Sequence, residues 1–192
     1  IGISASFDLL PKPKCRLFLC ALHHIICLLP LRRQKVDDMI PEVIEGDLLE
    51  QKVDVIVNAW NRNIFPWWLL LPQGVSGSIK RKAGLDPFRE LAGMGLIELG
   101  GARLTGAGKL PYRAIIHVAG INLLWFATEY SVRQSVRSAM QIVAEKGFAS
   151  VAFPLIGSGS GNRGKEWSKQ IMLDEFAKID AATAVKLVVF QA

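Results

Sequence analysis

A chain of 192 residues, 51% hydrophobic, suits one domain with a real core, and the composition is that of a globular protein. The net charge of +6 hints at an acidic partner, yet six of the 23 Lys/Arg and three of the 17 Asp/Glu fall in residues 1–38, which leaves the remainder near +3 and argues only weakly for nucleic-acid binding. Cys15, Cys20 and Cys27 lie in that same segment, so the main domain uses neither disulfides nor cysteine-ligated metal.

The first 38 residues contain KPKCRLFLCALHHIICLLPLRRQK, with basic flanks around an apolar run shorter than the roughly 20 residues of a membrane-spanning helix. Three readings stand: an N-terminal extension or translated upstream sequence, a buried or membrane-touching helix, and a signal peptide. His23 and His24 interrupt the apolar run and no small-residue cleavage site follows it, which counts against the last. Met39 opens the first stretch that reads as ordered, so the expected division is an extension of 1–38 and a domain of 39–192.

From there the elements are readable in order. PEVIEGD begins as a short strand, and VDVIVNA (53–59) is a valine-rich run expected of a strand covered on both faces. GVSGSIKRKAG fits a short helix ending at Gly84, and DPFRELAGMG a second with Asp86 as cap and Pro87 in its first turn. GARLTGAG and RAIIHVAG read as strands joined by a turn around LPYR. Residues 128–148 carry apolar side chains at helical spacing, with Thr128 as N-cap and Gly147 as terminator. SVAFPLIG is a strand, GKEWSKQIMLDEFAKI a helix and AVKLVVF a last strand. This alternation predicts an α/β/α sandwich with a mixed, largely parallel sheet, whose ligands bind beyond the carboxyl ends of the strands.

Two glycine-rich segments fall at such ends, QGVSG (73–77) and IGSGSGNRGK (156–165), and each precedes a helix, so each offers free N–H donors and a favourable dipole to an anion. Gly159, Gly161 and Gly164 spell G-x-G-x-x-G, but that fingerprint belongs to an opening βαβ unit and here lies close to the end of the sequence. Gly159 to Lys165 imitates a phosphate-binding P-loop, yet Glu166 stands where a hydroxyl should hold magnesium.

The stretches EGDLLEQKVDVIVNAWN (45–61), QGVSGSIKRKAG (73–84), AIIHVAG (114–120) and SVAFPLIGSGSG (150–161) together resemble the macrodomain family of ADP-ribose-binding modules, in family order and spacing. The resemblance implies that Asp47, beside Leu48, accepts a hydrogen bond from the adenine amino group, or caps the next turn. Asn58 and Asn61 match the asparagines that meet the distal ribose; for Asn58 a role in fixing the loop stands equally. Gly74, Val75 and Ser76 would face Gly157, Ser158, Gly159, Ser160 and Gly161 across the diphosphate, because only glycine lets the main chain approach so closely. Phe190 stacks on adenine or packs in the core.

Departures from the family pattern bear on activity. Trp60 stands where Ala is usual, Ser76 replaces an Asp linked to catalysis, and Gly161 falls where an aromatic often flanks the distal ribose. Lys80, one helical turn past Ser76, is a candidate for covalent chemistry on the opened ribose or a member of a solvated basic face. Ile64 to Leu71, with Trp67 and Trp68, reads as a hydrophobic lid or a partner-binding patch. The expectation is a cytoplasmic, monomeric module that binds ADP-ribose and hydrolyses an ADP-ribosyl linkage or ADP-ribose ester, with Asn61 positioning the water and Lys80 as the second catalytic candidate. Two alternatives are a non-catalytic reader of ADP-ribosylated protein or nucleic acid, and RNA binding with a steep salt dependence. No metal, cofactor or membrane span is implied.

Overall fold

The computed structural model describes residues 39–62, 64 and 74–190, all within a compact unit spanning Asp37–Ala192. The readings of residues 1–38 and of Trp67 and Trp68 lie outside the described residues. The elements are β1 (Glu42–Glu45), a 3-10 turn (Leu48–Glu50), β2 (Val55–Trp60), α1 (Gly74–Ala83), α2 (Asp86–Gly93), β3 (Ala102–Thr105), β4 (Ala114–Ala119), α3 (Glu129–Lys146), β5 (Ser150–Pro154), α4 (Lys165–Phe176) and β6 (Ala184–Val189). Among the described residues no helix is long and apolar enough to cross a membrane.

The six strands form one sheet in the order β1-β6-β5-β2-β4-β3, parallel throughout except for β3, which runs antiparallel to β4 at the edge. Period-two alternation sorts the central strands into two faces. Val55, Val57, Ile116 and Val118 meet Val132, Val136 and Met140 of α3 and Met172 and Phe176 of α4. Ile56, Trp60, Ile115 and Ala119 meet Ile79 of α1 and Phe88 and Leu91 of α2. Both faces of the sheet are therefore covered, as the apolar runs of β2 and β4 require, and the three-layer sandwich is observed.

Local signals account for most boundaries. Thr128 caps α3 through a reciprocal pair, Ser131 N–H to Thr128 Oγ1 at 3.1 Å and Thr128 N–H to Ser131 Oγ at 3.0 Å, and Gly147 ends the helix in the left-handed region. Asp86 is a correction: Leu85 occupies the N-cap without a side-chain bond, and Asp86 sits one position further in, where it pairs with Arg89 at 3.2 Å. Pro87 in the first turn sets the start without a polar cap. Between α3 and α4 the carboxylate of Glu175, 1% exposed, gathers Arg133, Arg137 and Lys178. Burial alone would raise its pKa, but hydrogen bonds from Arg137 and Lys178 turn the net shift downward.

Phe153 at the carboxyl end of β5 meets Phe176 edge-on, ring centroids 5.1 Å apart, and both are fully buried. Phe153→Ala is expected to cost about 3–5 kcal/mol in urea unfolding, because the closed layers leave little room to collapse into the space.

Candidate nucleotide-binding cleft

Beyond the carboxyl ends of β6, β5, β2 and β4 the chain encloses a cleft of about 700 Å³. One wall is the start of α1, with Gly74, Val75 and Ser76, beside Ala59, Trp60 and Asn61 at the end of β2. The facing wall is the loop Gly157 to Gly161 between β5 and α4. Gly46, Leu48, Val188 and Phe190 close one end, and Gly120, Ile121 and Trp125 line it as well. Both glycine segments named from sequence thus line one cavity.

The loop of 157–161 is shaped by two glycines, Gly157 and Gly161, that nothing larger could replace. Gly157 has φ +90, and a Cβ there would come 2.5 Å from that of Ala127; a Cβ on Gly161 would stand 2.7 Å from Gly157 Cα. Arg163 N–H returns to Gly157 O at 3.2 Å, and Ala127 N–H donates to Gly161 O at 3.0 Å. Among the described residues the N–H groups of Gly159, Ser160 and Gly161 find no acceptor, and the first-turn N–H groups of α1 are unpaired within the helix by construction. Such a pair of nests suits an anion on the cleft axis. Lys165, at the start of α4, also lines the cleft and donates to Phe190 O at 2.7 Å.

Behind the first wall runs a buried polar chain. Ser76 Oγ lies 2.6 Å from Asn58 Oδ1 and 2.9 Å from Ala59 O. Asn58 Nδ2 lies 3.0 Å from His117 Nδ1, and His117 Nε2 lies 2.9 Å from Thr105 Oγ1. Asn58 and His117 are register partners on β2 and β4 and both are 0% exposed. Burial lowers the His117 pKa to about 3, so the ring is neutral and carries one proton.

The macro domain family profile matches residues 57–172, more than half of the sequence. The chain belongs to the macro domain family. An O-acetyl-ADP-ribose deacetylase from Klebsiella pneumoniae is 36% identical over 139 residues, 68% of this chain and 75% of that one. An uncharacterised protein of Aquifex aeolicus is 32% identical over 148 residues, 77% of this chain and 87% of its own. Among solved structures, an Oceanobacillus iheyensis macrodomain mutant with ADPR superposes with a TM-score of 0.69 at 26% identity, covering 78% of this chain and 84% of that chain. A Trypanosoma brucei macrodomain in complex with ADP-ribose gives 0.67 at 26% identity, covering 78% and 63%.

Within this macro domain the named residues divide. Leu48, Asn61, Gly74, Val75, Ser76, the run Gly157 to Gly161 and Phe190 all line the cleft. Phe190 is 54% exposed, so it presents a ring to the cleft and is no core residue. Three candidates do not line it. Asn58 faces the α1–α2 layer, because β2 continues to Trp60 and Asn58 shares a face with Ile56 and Trp60, and it bonds His117 and Ser76 there. Asp47 caps the 3-10 turn through Leu49 N–H at 2.9 Å and faces Lys82 at 3.5 Å. Lys80 is half-buried with its ammonium 6.0 Å from the centroid of Phe88, and it is not among the residues lining the cleft. Residues passed over were Gly120 and Ile121, which the strand-end rule would have found, and Trp60, Trp125 and Lys165.

Because the folded ring of His117 binds its proton only near pH 3, the unfolded chain protonates first as pH falls. Its contribution is complete above the ordinary value of about 6.5 and fades as pH drops toward 3, a loss on the order of 5 kcal/mol. Urea midpoints across pH 4–8 should therefore fall more steeply for the native chain than for His117→Gln, which has no ring to titrate.

Proposed function

We propose that this macro domain binds ADP-ribose and hydrolyses an ADP-ribosyl linkage or an ADP-ribose ester. One observation carries the reading: two arrays of main-chain donors, one on α1 and one on the Gly157–Gly161 loop, line a single cleft of about 700 Å³, a size that fits a ligand larger than a mononucleotide. The diphosphate lies between the nests, the adenine against Phe190, and the second sugar near Asn61. Asn61 offers a donor and an acceptor to vicinal hydroxyls and to a water. The relatives that carry deacetylase activity in name, and the neighbours solved with ADP-ribose, support the same assignment.

Chemistry then rests on position more than on a protein base. Ser76 cannot take a proton from water at neutral pH, and its hydroxyl is engaged by Asn58 and Ala59. The remaining base is the bound diphosphate, with Asn61 holding water in line. That same engagement of Ser76 favours one second reading, a reader that retains ADP-ribosylated targets without cleaving them.

Calorimetry should show ADP-ribose bound at least about tenfold more tightly than AMP, with Phe190→Ala weakening ADP-ribose by a similar factor. Equal affinity for AMP and ADP-ribose would remove the second nest and the sugar site from the account. Incubation with an ADP-ribosylated protein then separates the activities: release of free ADP-ribose marks the hydrolase, and tight binding without release marks the reader.

A further inference from the structure

Four polar side chains from four elements touch in a row behind the first wall of the cleft: Thr105 of β3, His117 of β4, Asn58 of β2 and Ser76 of α1. All four are buried. The other buried polar side chains described, Ser131, Ser135, Ser168 and Glu175, belong to α3 and α4 on the opposite layer. Among the described residues, each member of the row therefore has only its neighbours and nearby main chain to bond. The ring of His117 is held at both nitrogens and meets Phe88 edge-on, with centroids 5.7 Å apart.

The two ends of the row fix its direction. The 2.6 Å between Ser76 Oγ and the Asn58 amide lies in the range of an O–H···O bond and below that of N–H···O, so the amide oxygen faces Ser76 and accepts its proton. At the far end Thr105 Oγ1 donates to Gly106 O at 3.0 Å, and a hydroxyl with its proton committed there can only accept from His117. Between them the Asn58 amide nitrogen faces Nδ1 at 3.0 Å, and Nε2 faces Thr105 at 2.9 Å. Burial keeps the ring neutral, with one proton for two nitrogens, and both ends put that proton on Nε2. Ser76, the third residue of α1, is thereby tied to β2 through Asn58 and through Ala59 O at 2.9 Å, and the first turn it belongs to lines the cleft.

We propose that His117, which is not among the residues lining the cleft, is a positioning residue for ligand binding: as the Nε2–H tautomer, backed by Thr105, it turns the Asn58 oxygen toward α1 and so holds the first turn of α1 where its main-chain donors meet the diphosphate. The proposal rests on the reading that this wall binds the diphosphate of ADP-ribose. Each step is local. A bare Nδ1 attracts the amide NH2 and repels the amide oxygen, so Asn58 keeps its oxygen on Ser76. Without that acceptor in the ring the amide is free to turn over, which sets its NH2 against Ser76 at a distance too short for N–H···O and drives the start of α1 outward. Without the Thr105 hydroxyl, Nε2–H becomes an unpaired donor in a dry interior, and what held the proton on that nitrogen is gone.

The test labels the histidines of the full chain with nitrogen-15 and reads their ring nitrogens by long-range proton–nitrogen NMR without ligand, the His117 signals being those of the three histidines that vanish in His117→Gln. At neutral pH the native ring is expected to show a protonated Nε2 and a bare Nδ1, and Thr105→Val to move the proton to Nδ1 or set it exchanging. Calorimetry with ADP-ribose then reads the effect on the cleft. His117→Leu should weaken binding at least about tenfold and Thr105→Val roughly three- to tenfold, whereas Thr105→Ser, which keeps the hydroxyl, and His117→Gln, which keeps one acceptor and one donor, should stay within about twofold of the native chain. A native ring protonated on Nδ1, unchanged affinity in Thr105→Val and His117→Leu, or equal losses in Thr105→Ser and Thr105→Val overturns the proposal. Should His117→Leu fail to fold, the tautomer and the Thr105 pair decide. A native chain that binds no ADP-ribose defeats the nucleotide reading and the positioning role with it, whereas ADP-ribose binding that ignores these substitutions defeats the positioning role alone.

Discussion

Asn58 sits in the middle of a sheet covered on both faces, where an amide that finds no partner forfeits on the order of 1–3 kcal/mol. Every partner it has comes from a different element: His117 from β4 and Ser76 from α1, with Thr105 of β3 closing the far end of the chain. The need to satisfy one buried amide therefore fixes where α1 begins relative to the end of β2. That junction carries Gly74, Val75 and Ser76 into the cleft, so the first nest is aimed by a polar contact made behind the wall.

The second nest is fixed by crowding. Gly157 and Gly161 approach each other and Ala127 so closely that a single added carbon collides, and the bonds from Ala127 and Arg163 clamp the loop from outside. One wall thus answers to hydrogen-bond satisfaction and the other to steric contact. A substitution in the first should act through polarity, and one in the second through volume. The anion-binding capacity of both lies in neutral main-chain donors and helix ends, which explains why a domain whose charge is near +3 needs no basic patch in the cleft; Lys165 is the one cationic side chain lining it among the described residues.

Much of this was legible in the residues. A valine-rich run marked β2, the apolar run after the LPYR turn marked β4, helical spacing and the Thr128 and Gly147 signals marked α3, and glycines after strands marked the cleft. The failures have physical causes. The strand read as 53–59 runs to Trp60, and that extra residue turns Asn58 from a strand-end group into an interior one, while Asn61 takes the exit. Lys80 lies on the turn after Ser76, and its ammonium stands 6.0 Å from the ring centroid of Phe88, a residue of α2 that no local rule could have brought there. Trp125 was missed because its place depends on Asn122 accepting from two later N–H groups, a turn the residue reading did not consider. The second is a matter of tertiary packing, whereas the third is a local turn built by one asparagine side chain.

The substitution of serine for the family's aspartate can be followed along the same buried chain. Ser76 has one proton and two oxygens within reach, Asn58 Oδ1 and Ala59 O. If the proton goes to Asn58, then the Asn58 amide donates to His117 Nδ1, and the ring's Nε2–H donates to Thr105. If it goes to Ala59, the amide turns over and donates to Ser76, His117 shifts its proton to Nδ1, and Thr105 donates to Nε2 at the cost of its bond to Gly106 O at 3.0 Å. The neutral ring supports both directions because it always has one donor and one acceptor. A carboxylate at position 76 has no proton to give and would lock the chain in the second polarity, with a charge set against a buried amide. Serine satisfies the interior without a charge, and for the same reason position 76 presents no carboxylate to the cleft.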